Sequence, residues 1–540
     1  MTREIKVYNT MSRQKEVFSP LEPGKVGIYV CGVTPYNDPH IGNARPFVTW
    51  DVIRRFFAKC GYAVRYIQNF TDVDDKIIRA ANERGVTWKD VADQYIDAYF
   101  RVMDELNVRR ADVYPRVSET IPEIIEMVQG LVDKGFAYEL EGDVYYSVES
   151  FATYGKLSGR NLDDMMAGAR VEVDERKKNP MDFALWKSAK PGEPYWESPW
   201  GEGRPGWHIE CSTMSLKYLG KTFDFHGGGS DLIFPHHENE IAQSQAYCGG
   251  TDCFARYWVH NGFITIHGDK MSKSENNFFT VAEILEKYPG EVVRFFILQT
   301  HYRSPLDFSD ERLKDAQAGL ARLANAKENL DALSARNGDA DTAAVLAESA
   351  EKAREAFFDA MADDFNTALA ISHLFAVAKD VNVYYNEVVN HGQAFDAKNF
   401  ARVRAAFDDM AEIVGILEKS AAKSDEDAEI DALVEERLAA RKEKNWARAD
   451  EIRDSLKARG IVLEDSATGT RWKRACSSRR GKKSRSMSSR RMKRGGSSRS
   501  TDPPIRKRCR RWCWPSSATR SFICMCANGS CRIRRHRSTC

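Results

Sequence analysis

The feature that most constrains the fold is a buried-strand pattern that is followed by a helical pattern, twice in succession. Residues 25–33, KVGIYVCGV, are apolar and β-branched, which is typical of a buried parallel strand. A loop rich in Pro, Asn and Asp follows, and then the helical pattern IGNARPFVTWDVIRRFFAKCG. A second strand pattern, AVRYIQNF, leads to a helix over residues 73–84. This order predicts an α/β fold with a doubly wound parallel sheet, whose ligands bind beyond the carboxyl ends of the strands.

The rest of the chain predicts an interruption of this sheet, its return, and a helical second half. Residues 110–200 contain one helical pattern, 121–134, among Gly- and Pro-rich β-like segments, and we interpret them as an insertion. The sheet returns with the strand KTFDFHG, a helix opened by Pro235, and the strand YWVHNGFITIHG. Residues 283–420 are almost wholly helical in pattern and predict a bundle. An acidic linker, residues 420–430, precedes a small helical module that ends in the strand-like IVLEDSATGTRWKR.

Charge and cysteine are so unevenly distributed that the chain is best considered in two parts. The 540 residues include 80 Lys and Arg, 78 Asp and Glu, and 12 Cys. Residues 475–540 account for 20 of the basic residues, seven of the cysteines and one acidic residue, Asp502. The remaining body is therefore acidic, and its five cysteines are too few to indicate a disulfide framework. The Arg/Ser/Cys-rich tail shows neither a helical nor a strand period.

Two short motifs lie where an α/β nucleotide-binding domain would need them. HIGN, residues 40–43, begins the first predicted helix, and KMSKS, residues 270–274, follows the last predicted strand of the sheet. Either motif alone occurs by chance, and KMSKS alone is most simply a solvated basic loop. The pair, in this order and at this distance, resembles the ATP-binding motifs of class I aminoacyl-tRNA synthetases. His40 and Asn43 at a helix N-terminus also suit phosphate binding.

Four side chains form one candidate metal site: Cys31, Cys211, His236 and Glu240. His236 and Glu240 are four residues apart and share one face of a helix. Thiolate, imidazole and carboxylate together suit Zn²⁺. By spacing alone, a surface hydrogen bond between His236 and Glu240 and a core position for Cys31 are the simpler interpretations.

The segments around these side chains resemble the cysteinyl-tRNA synthetase family, over about residues 5–474. The resemblance is carried by CGVTPYNDPHIGN from Cys31, GWHIECS from Gly206, and HGGGSDLIFPHHENE from His226. In that family the four positions of the candidate site bind zinc. One zinc ion per chain would select the thiol of cysteine over the hydroxyl of serine, a choice that apolar pockets make poorly.

The resemblance implies both a domain organisation and a set of site residues. A Rossmann-like class I catalytic domain is expected at 1–310, a helical bundle domain at 311–420 and a small anticodon-binding domain at 425–474. ATP would enter with Mg²⁺, and Lys273 is a stronger candidate for the ATP contact than Lys270. The implied residues are His40, Asn43, Lys270 and Lys273 for catalysis, with Gly42, Gly227, Gly229 and Asp231 also for ATP binding, and Gly32, Thr71 and Trp207 for the amino acid.

The sequence departs from the family pattern at two places. The first motif ends in Asn43, where class I enzymes commonly have His, although this variant is familiar among cysteinyl enzymes. After KMSKS the family usually has Leu-Gly-Asn, and this chain has Glu275, Asn276 and Asn277. We expect this change to alter the KM for ATP rather than to abolish activity.

The expected activity is ATP-dependent ligation of L-cysteine to tRNA(Cys) through cysteinyl-adenylate. An acidic body needs local basic and aromatic groups to bind RNA, and Trp446, Arg471 and Trp472 are candidates for anticodon contacts. One alternative is a paralogous ligase that passes cysteine to an amino-sugar, but such enzymes lack the anticodon module. A non-catalytic RNA-binding relative is the other alternative, and it would predict damaged ATP or zinc motifs.

Three further expectations concern the cell and the tail. The N-terminus lacks the apolar segment of a secretion signal, and no apolar run approaches the ~20 residues of a membrane span, so we expect a cytoplasmic protein without a membrane partner. We expect a monomer. Residues 475–540 have no counterpart in the family, and we interpret them as translation of a shifted or non-coding frame, with a basic RNA-binding arm as the alternative.

Overall fold

Two separated stretches of sequence build the sheet that carries the site. In this computed structural model, residues 3–160, 176–266, 268–270, 278–418, 425–466 and 469–474 are described. The first part of the chain contains β1 (Lys6–Asn9), β2 (Gln14–Val17), β3 (Lys25–Val33), α1 (Ile41–Lys59), β4 (Ala63–Phe70), α2 (Asp75–Arg84), α3 (Trp88–Glu105), α4 (Ile121–Asp133), β5 (Ala137–Leu140), β6 (Asp143–Tyr146), β7 (Phe183–Ser188), β8 (Gly203–Pro205), α5 (Trp207–Leu219), β9 (Thr222–Gly229), α6 (Glu238–Cys248), β10 (Phe254–Asn261), β11 (Ile264–Ile266) and β12 (Asp269–Lys270).

The central sheet has the order β10-β9-β3-β4, and all of its neighbouring strands are parallel. Strands β3 and β4 have the bounds that their apolar, β-branched patterns predict. Helix α1 connects these two strands and is buried over most of its length, including Trp50 and Phe56. The predicted parallel α/β fold is confirmed, and its strands point their carboxyl ends at one edge.

The segment interpreted as an insertion folds apart from this sheet. Strands β5, β6, β7 and β8 form a separate antiparallel sheet in that order. It shares an apolar core with α4 and α5, in which Trp186 and Tyr146 are fully buried. Helix α5 begins immediately after β8, so the insertion places this helix at the edge of the central sheet.

Two sequence predictions around the second half of the sheet were wrong in detail. Pro235 does not open a regular α-helix, because Phe234 is extended (φ −142°, ψ 133°) within the turn Ile233–His237, and α6 begins at Glu238. The predicted strand YWVHNGFITIHG is two strands, β10 and β11. They are separated at Gly262, which lies against the carbonyl of Ser304 and has no space for a side chain.

The second half of the chain is helical, as its periodicity predicts. It contains α7 (Val281–Leu285), α8 (Gly290–Leu298), β13 (Leu306–Asp307), α9 (Asp310–Ser334), α10 (Ala344–Ala362), α11 (Thr367–Val389), α12 (Ala397–Val414), α13 (Asp425–Lys442), α14 (Trp446–Ala458), β14 (Ile461–Ser466) and β15 (Gly469–Arg474). Part of the predicted acidic linker is helix, since α13 begins at Asp425, where acidic residues favour a helix N-terminus. Residues 419–424 lie outside the described part of the chain.

A buried ion network joins α1 to the helices that follow the sheet. Asp51 on α1 accepts from Arg294 Nη2 on α8 at 2.7 Å and from Arg55 Nε at 2.7 Å, and all three side chains are buried. Aromatic contacts continue this interface, with Phe56 in contact with Phe358 on α10 at a ring-centroid distance of 6.0 Å. The sheet and the bundle thus share one apolar core. None of the described helices combines the length and apolar character needed to cross a membrane.

Candidate active site

A cavity of about 390 Å³ opens beyond the carboxyl ends of β3, β9 and β10. Its size falls within the range of small-molecule and cofactor sites. The loop after β3, the start of α1, and the turns after β9 and β10 all contribute to its wall. Of the residues predicted for the site, the following line it: Cys31, Gly32, His40, Gly42, Asn43, Trp207, Gly229 and Asp231.

The HIGN motif forms the N-terminal cap of α1. His40 is the N-cap residue, and its Nδ1 accepts from the backbone N–H of Asn43 at 3.2 Å, while Asn43 Oδ1 accepts from the His40 N–H at 3.2 Å. The sequence did not predict this reciprocal cap, because His is not among the usual capping residues. The cap fixes both side chains at the positive end of the helix, where an anion is favoured.

Two glycines of the predicted site are required by close approaches. A Cβ on Gly32 would lie 1.6 Å from the carbonyl oxygen of Asn69, and the Gly32 N–H donates to Asn69 Oδ1 at 2.9 Å. A Cβ on Gly227 would lie 2.1 Å from the ring of Trp50. Gly227 therefore contributes to the packing of the sheet beneath the site, whereas Gly229 and Asp231 line the cavity itself.

The four predicted metal ligands meet in one buried cluster, and one of them, Cys31, also lines this cavity. One ligand atom from each of Cys31, Cys211, His236 and Glu240 lies within 4.8 Å of the other three, and all four residues are buried. The two sulfur atoms are 3.7 Å apart, Cys31 Sγ lies 3.6 Å from Glu240 Oε1, and His236 Nε2 lies 3.0 Å from the same oxygen. The side chains come from β3, α5, the turn before α6 and α6 itself.

Two of these three distances match a tetrahedral zinc ion, whereas the separation of His236 Nε2 and Glu240 Oε1 is shorter than the ~3.3 Å that such an ion requires. With Zn–S bonds of about 2.3 Å and Zn–O bonds of about 2.0 Å, two sulfur ligands would be about 3.8 Å apart and a sulfur and an oxygen about 3.5 Å apart. The observed S–S and S–O separations are within about 0.1 Å of these values. The donor set of two thiols, one imidazole and one carboxylate also suits zinc.

A second set of ligand atoms overlaps the first and was not predicted. Cys31, His226, His237 and Glu240 also have ligand atoms within 4.8 Å of one another. His226 Nε2 lies 2.8 Å from Glu240 Oε2, the carboxylate oxygen on the far side from His236. The first set contains both thiols, and two of its distances match tetrahedral values, so it is the better candidate for a metal site.

Four further histidines surround the cluster and form its outer layer of hydrogen bonds. His208 Nδ1 lies 2.9 Å from His236 Nδ1, and His226 bonds to Glu240. His237 Nδ1 lies 2.8 Å from His260 Nε2, whose other nitrogen reaches Thr10 Oγ1 at 2.8 Å. Partners of this kind orient metal ligands and set the tautomer of a ligating imidazole. His208 lies in GWHIECS, and His226 and His237 lie in HGGGSDLIFPHHENE, but the sequence alone did not show that these histidines converge.

The groups of the cluster have pKa values that move in opposite directions, since burial raises the pKa of the Cys31 thiol well above its usual range. The hydrogen bond from Cys31 lowers the pKa of the Cys211 thiol to about 6, with His236 acting in the same direction against burial. Burial by itself raises the pKa of Glu240, but His226 and His236 overcome it and lower that pKa to about 2. Burial lowers the pKa of His236, but Glu240 outweighs it and raises the value to about 10. A thiolate and a carboxylate thus hold a proton on His236 that a metal ion would displace.

Of the residues predicted to contact the amino acid, Gly32 and Trp207 line the cavity and Thr71 is buried. Trp207 begins α5, is 41% exposed, and its ring lies 4.5 Å from that of His236. Thr71 is buried and its Oγ1 donates to Glu210 Oε2 at 2.9 Å. Glu210 was not predicted, although it lies in the GWHIECS motif, because a carboxylate beside a metal ligand has no distinctive spacing.

The KMSKS segment is described only at its flanks. β12 pairs with β11, with Lys270 opposite Thr265, and Phe278 lines the cavity with its ring 4.9 Å from that of His40. The next residues return to the first motif, since the Val281 N–H donates to the Pro39 carbonyl at 2.8 Å. The flank that follows the segment therefore lies beside HIGN. Lys273 and the unusual residues Glu275, Asn276 and Asn277 are outside the described residues, as is the side chain of Lys270.

The predicted anticodon contacts lie on the small C-terminal module. Its core contains Ile430, Ile452 and Leu456, which hold α13 against α14. Trp446 is the first residue of α14 and is 59% exposed, which is unusual for a tryptophan. Arg471 and Trp472 belong to β15, whose backbone pairs with β14, but their side chains lie outside the described part of the structure. Residues 475–540, with both interpretations of the tail, also lie outside it.

Comparison with known structures supports the fold. A methionyl-tRNA synthetase from Mycobacterium tuberculosis, in complex with methionyl-adenylate, aligns with a TM-score of 0.53 at 19% identity, over 72% of this chain and 89% of that chain. The LeuRS of Agrobacterium radiobacter, in a ternary complex with tRNA, aligns with a TM-score of 0.53 at 12% identity, over 74% and 85% of the two chains.

Sequence comparisons are more specific. Residues 17–318 match the family model described as tRNA synthetases class I (C) catalytic domain, residues 356–418 match the DALR domain, and residues 423–472 match the cysteinyl-tRNA ligase anticodon binding domain. A cysteine–tRNA ligase from Carboxydothermus hydrogenoformans is 55% identical over 473 residues, which are 87% of this chain and 100% of that protein. One from Heliobacterium modesticaldum is 54% identical over 484 residues, again 87% and 100%.

The fold, the paired motifs and the catalytic-domain match define a class I aminoacyl-tRNA synthetase. The match to an anticodon binding domain is difficult to reconcile with an amino-sugar ligase. Within the class, this chain belongs to the cysteine–tRNA ligase family.

Proposed function

We propose that this protein activates L-cysteine with ATP and transfers it to tRNA(Cys). One observation carries the proposal: Cys31 is both a wall residue of the cavity below HIGN and a member of the buried Cys/Cys/His/Glu cluster. An amino acid in this cavity would therefore have its side chain at the cluster and its carboxylate towards the phosphate-binding end of α1. That arrangement is what a thiol-selective adenylation site requires.

The first step needs no nucleophilic side chain. The carboxylate oxygen of cysteine attacks the α-phosphorus of ATP, the bond to the bridging oxygen breaks, and pyrophosphate leaves. Catalysis then consists of positioning the reactants and stabilising negative charge. We assign the phosphate contacts to His40 and Asn43 at the start of α1 and to Lys270 and Lys273, with Gly42, Gly229 and Asp231 holding the adenosine. Mg²⁺ enters with ATP as part of the substrate.

Selection of cysteine is assigned to the cluster and to the wall around it. Cys31, Cys211, His236 and Glu240 would hold one Zn²⁺, which, when bound, supplies a preference for a thiolate over a hydroxyl. Trp207 limits the size of the side-chain pocket from the cavity side. Gly32 and Thr71 are assigned to the ammonium and carboxylate groups of the amino acid.

Transfer requires that the tRNA be recognised elsewhere on the molecule. We propose that residues 425–474 bind the anticodon through Trp446, Arg471 and Trp472, with residues 1–310 as the catalytic domain and 311–420 as the bundle domain. The 2′-hydroxyl of the terminal adenosine of the tRNA attacks the carbonyl carbon of cysteinyl-adenylate, the bond from that carbon to the phosphate oxygen breaks, and AMP leaves. We further propose a cytoplasmic monomer, because ATP and tRNA are cytoplasmic substrates and one chain contains every assigned group. Sedimentation of the purified chain tests the oligomeric state.

The deciding experiment is ATP–pyrophosphate exchange on the zinc-replete full chain. Exchange that depends on cysteine, is absent with serine and falls after zinc chelation is the expected result. Exchange with both amino acids would contradict thiol selection at the cluster. If exchange occurs but tRNA(Cys) is not charged, the adenylation half of the proposal stands and the transfer half fails.

A further inference from the structure

Two cysteines outside the active site flank a short turn. Cys248 is the last residue of α6, and Cys253 directly precedes β10. Gly249 ends the helix in the left-handed conformation, with φ +79°, and a Cβ on Gly249 or Gly250 would meet no atom within 4 Å. The turn is therefore open, and its two glycines allow the small adjustment of the backbone that a new bond between its ends would need.

The two side chains lie at the same end of α6. Cys253 Sγ lies 3.5 Å from the carbonyl oxygen of Ser244, one helical turn before Cys248. Both side chains are half-buried, whereas Cys31 and Cys211 of the candidate metal cluster are buried. The pair is thus accessible to a small reagent, and Cys248 lies eight residues after Glu240 on the same helix.

Two lysines give this turn a positive environment. Lys134 Nζ donates to the carbonyl oxygen of Tyr247 and lies 5.1 Å from the centre of its ring, so its charge is held at the end of α6. The Phe254 N–H donates to the Lys221 carbonyl at 2.7 Å, which places Lys221 next to Cys253. The hydrogen bond from Cys253, opposed by burial and assisted by Lys221 and Lys134, lowers the pKa of Cys248 to about 7.

A third cysteine of the same chain has the opposite character. Cys60 follows α1 and is also half-buried, but burial raises the pKa of its thiol to about 11. Reactive thiols are thiolates with partial exposure and a cationic neighbour, and redox-sensitive ones often have a second thiol in reach. Cys248 meets all of these conditions. Cys60 also has two cations nearby, Arg3 and Arg354, but burial outweighs them, and none of the other described cysteines lies beside it.

We propose that Cys248 and Cys253 are a site of reversible disulfide formation, oxidised by hydrogen peroxide or an organic hydroperoxide. The Cys248 thiolate attacks one peroxide oxygen, the O–O bond breaks, and Cys248 becomes a sulfenic acid while water or an alcohol leaves. The Cys253 sulfur then attacks the sulfenic sulfur, an S–S bond forms, and a second molecule of water leaves. Two thiols are oxidised and one peroxide is reduced, and a thiol reductant reverses the change.

The site lends itself to mass spectrometry of the zinc-replete full chain. Trypsin releases residues 222–256 as one peptide, because no Lys or Arg occurs between Lys221 and Arg256. After peroxide treatment and alkylation, this peptide should be lighter by two hydrogen atoms and carry no alkyl group until it is reduced. Cleavage before Asp252 should leave its two halves joined. Cys60 should remain fully alkylatable at the same peroxide dose.

Two single variants separate the roles of the thiols. In Cys253→Ser, a sulfenic acid at Cys248 should persist and be trapped by dimedone, and in Cys248→Ser the Cys253 thiol should stay reduced. The thiol of Cys248 should also be alkylated at least about tenfold faster than that of Cys60 at neutral pH, since a far larger fraction is thiolate. Full alkylation of both thiols after peroxide, equal oxidation of Cys253 in the Cys248→Ser variant, or bonding of Cys248 to a different cysteine would overturn the proposal.

Discussion

Thr71 donates from its Oγ1 to Glu210 Oε2 over 2.9 Å, and the Glu210 side chain is 1% exposed. Thr71 follows β4, and Glu210 lies on α5 directly before Cys211. The bond therefore ties the loop beside the amino-acid pocket to the helix that carries a proposed zinc ligand. Asn69 Nδ2 donates to Thr71 Oγ1 at 3.4 Å, and we propose that the other lone pair of this oxygen accepts from the ammonium group of a bound amino acid.

Replacing this hydroxyl should weaken cysteine binding selectively. Thr71→Val keeps the shape of the side chain but loses one hydrogen bond of about 1 kcal/mol, so the KM for cysteine should rise about fivefold. The KM for ATP should be unchanged in pyrophosphate exchange. Thr71→Ser retains the hydroxyl and should restore the KM to near the unsubstituted value. Equal changes in both KM values would indicate a general disturbance of the site instead.

The zinc assignment predicts that two cysteine variants differ in zinc content and in exchange activity. Cys211→Ser removes a proposed ligand, so zinc affinity and cysteine-dependent exchange should both fall. Each should fall by more than the ~10–100-fold that follows when a residue that only hydrogen-bonds to a ligand is replaced. Cys60→Ser serves as the control because Cys60 follows α1, outside the cluster. It should retain one zinc ion per chain and normal exchange. Metal analysis after gel filtration measures the first quantity, and stoichiometric zinc in Cys211→Ser would contradict the assigned ligand set.

The buried carboxylate of Asp51 should control stability in acid. Burial alone raises its pKa, but Arg294, Arg55 and Arg54 overcome this effect and lower the pKa to about 2. The unfolded chain, with an Asp pKa of about 3.9, therefore binds more protons between these values. The stabilisation is fully present above about pH 4 and is lost as the pH falls through about 2.

Asp51→Asn should consequently lower the free energy of unfolding by about 3–5 kcal/mol at neutral pH, because Arg294 is left buried without its carboxylate. The difference from the unsubstituted protein should shrink as the pH falls below about 4. Denaturant titrations at several pH values measure both effects. Asp97→Asn provides the control, since Asp97 is exposed on α3 and its replacement should leave the titrations unchanged. A difference that does not vary with pH would contradict the ionised state of Asp51.

Recognition of tRNA should depend on Trp446 without affecting activation. If its exposed ring stacks on one base, Trp446→Ala should weaken tRNA(Cys) binding by about 1–3 kcal/mol. Pyrophosphate exchange, which needs no tRNA, should keep its rate. Val462→Ala, at another exposed apolar residue of the same module, is the matched control. An equal loss of tRNA binding in both variants would point to damage of the module rather than to stacking.

The parts of the fold that the sequence predicted are those fixed by local pattern. β3 and β4 are continuous apolar, β-branched segments, so their bounds and parallel direction followed from periodicity. The division of β10 from β11 did not, because it depends on long-range packing of Gly262 against Ser304. The helix at Asp425 was missed for a different reason, since a run of acidic residues resembles a linker unless the helix dipole is considered.

For the site, the sequence identified the residues that motifs contain and missed those that only folding brings together. Cys31, Cys211, His236 and Glu240 meet as expected in one cluster. The outer histidines and Glu210 were not identified, because a buried hydrogen bond between distant residues leaves no spacing to detect. The capping role of His40 was hidden in the same way, as it depends on the β-region backbone that precedes α1.

Arg45 couples the first motif to the strand that leads to the second. It lies on α1 just after HIGN, is buried, and its guanidinium donates to the carbonyls of Gly262 and Phe263 at 2.8 and 2.9 Å. It also donates to the carbonyls of His301, Tyr302 and Ser304. Burial lowers its pKa to about 10, so the group remains a cation at neutral pH.

Arg45→Lys should therefore loosen the cavity wall between β10 and β11. A lysine ammonium has three donors and no planar fork, so it leaves at least two of these carbonyls without a donor. The protein should lose about 2–4 kcal/mol of stability, and the KM for ATP should rise more than the KM for cysteine, because Gly262 and Phe263 line the cavity near His40. Arg65→Lys, at an exposed position of β4, should change neither quantity. Thermal unfolding and exchange kinetics are measured on both variants. A loss of stability with both KM values unchanged would show that Arg45 stabilises the fold without affecting the active site.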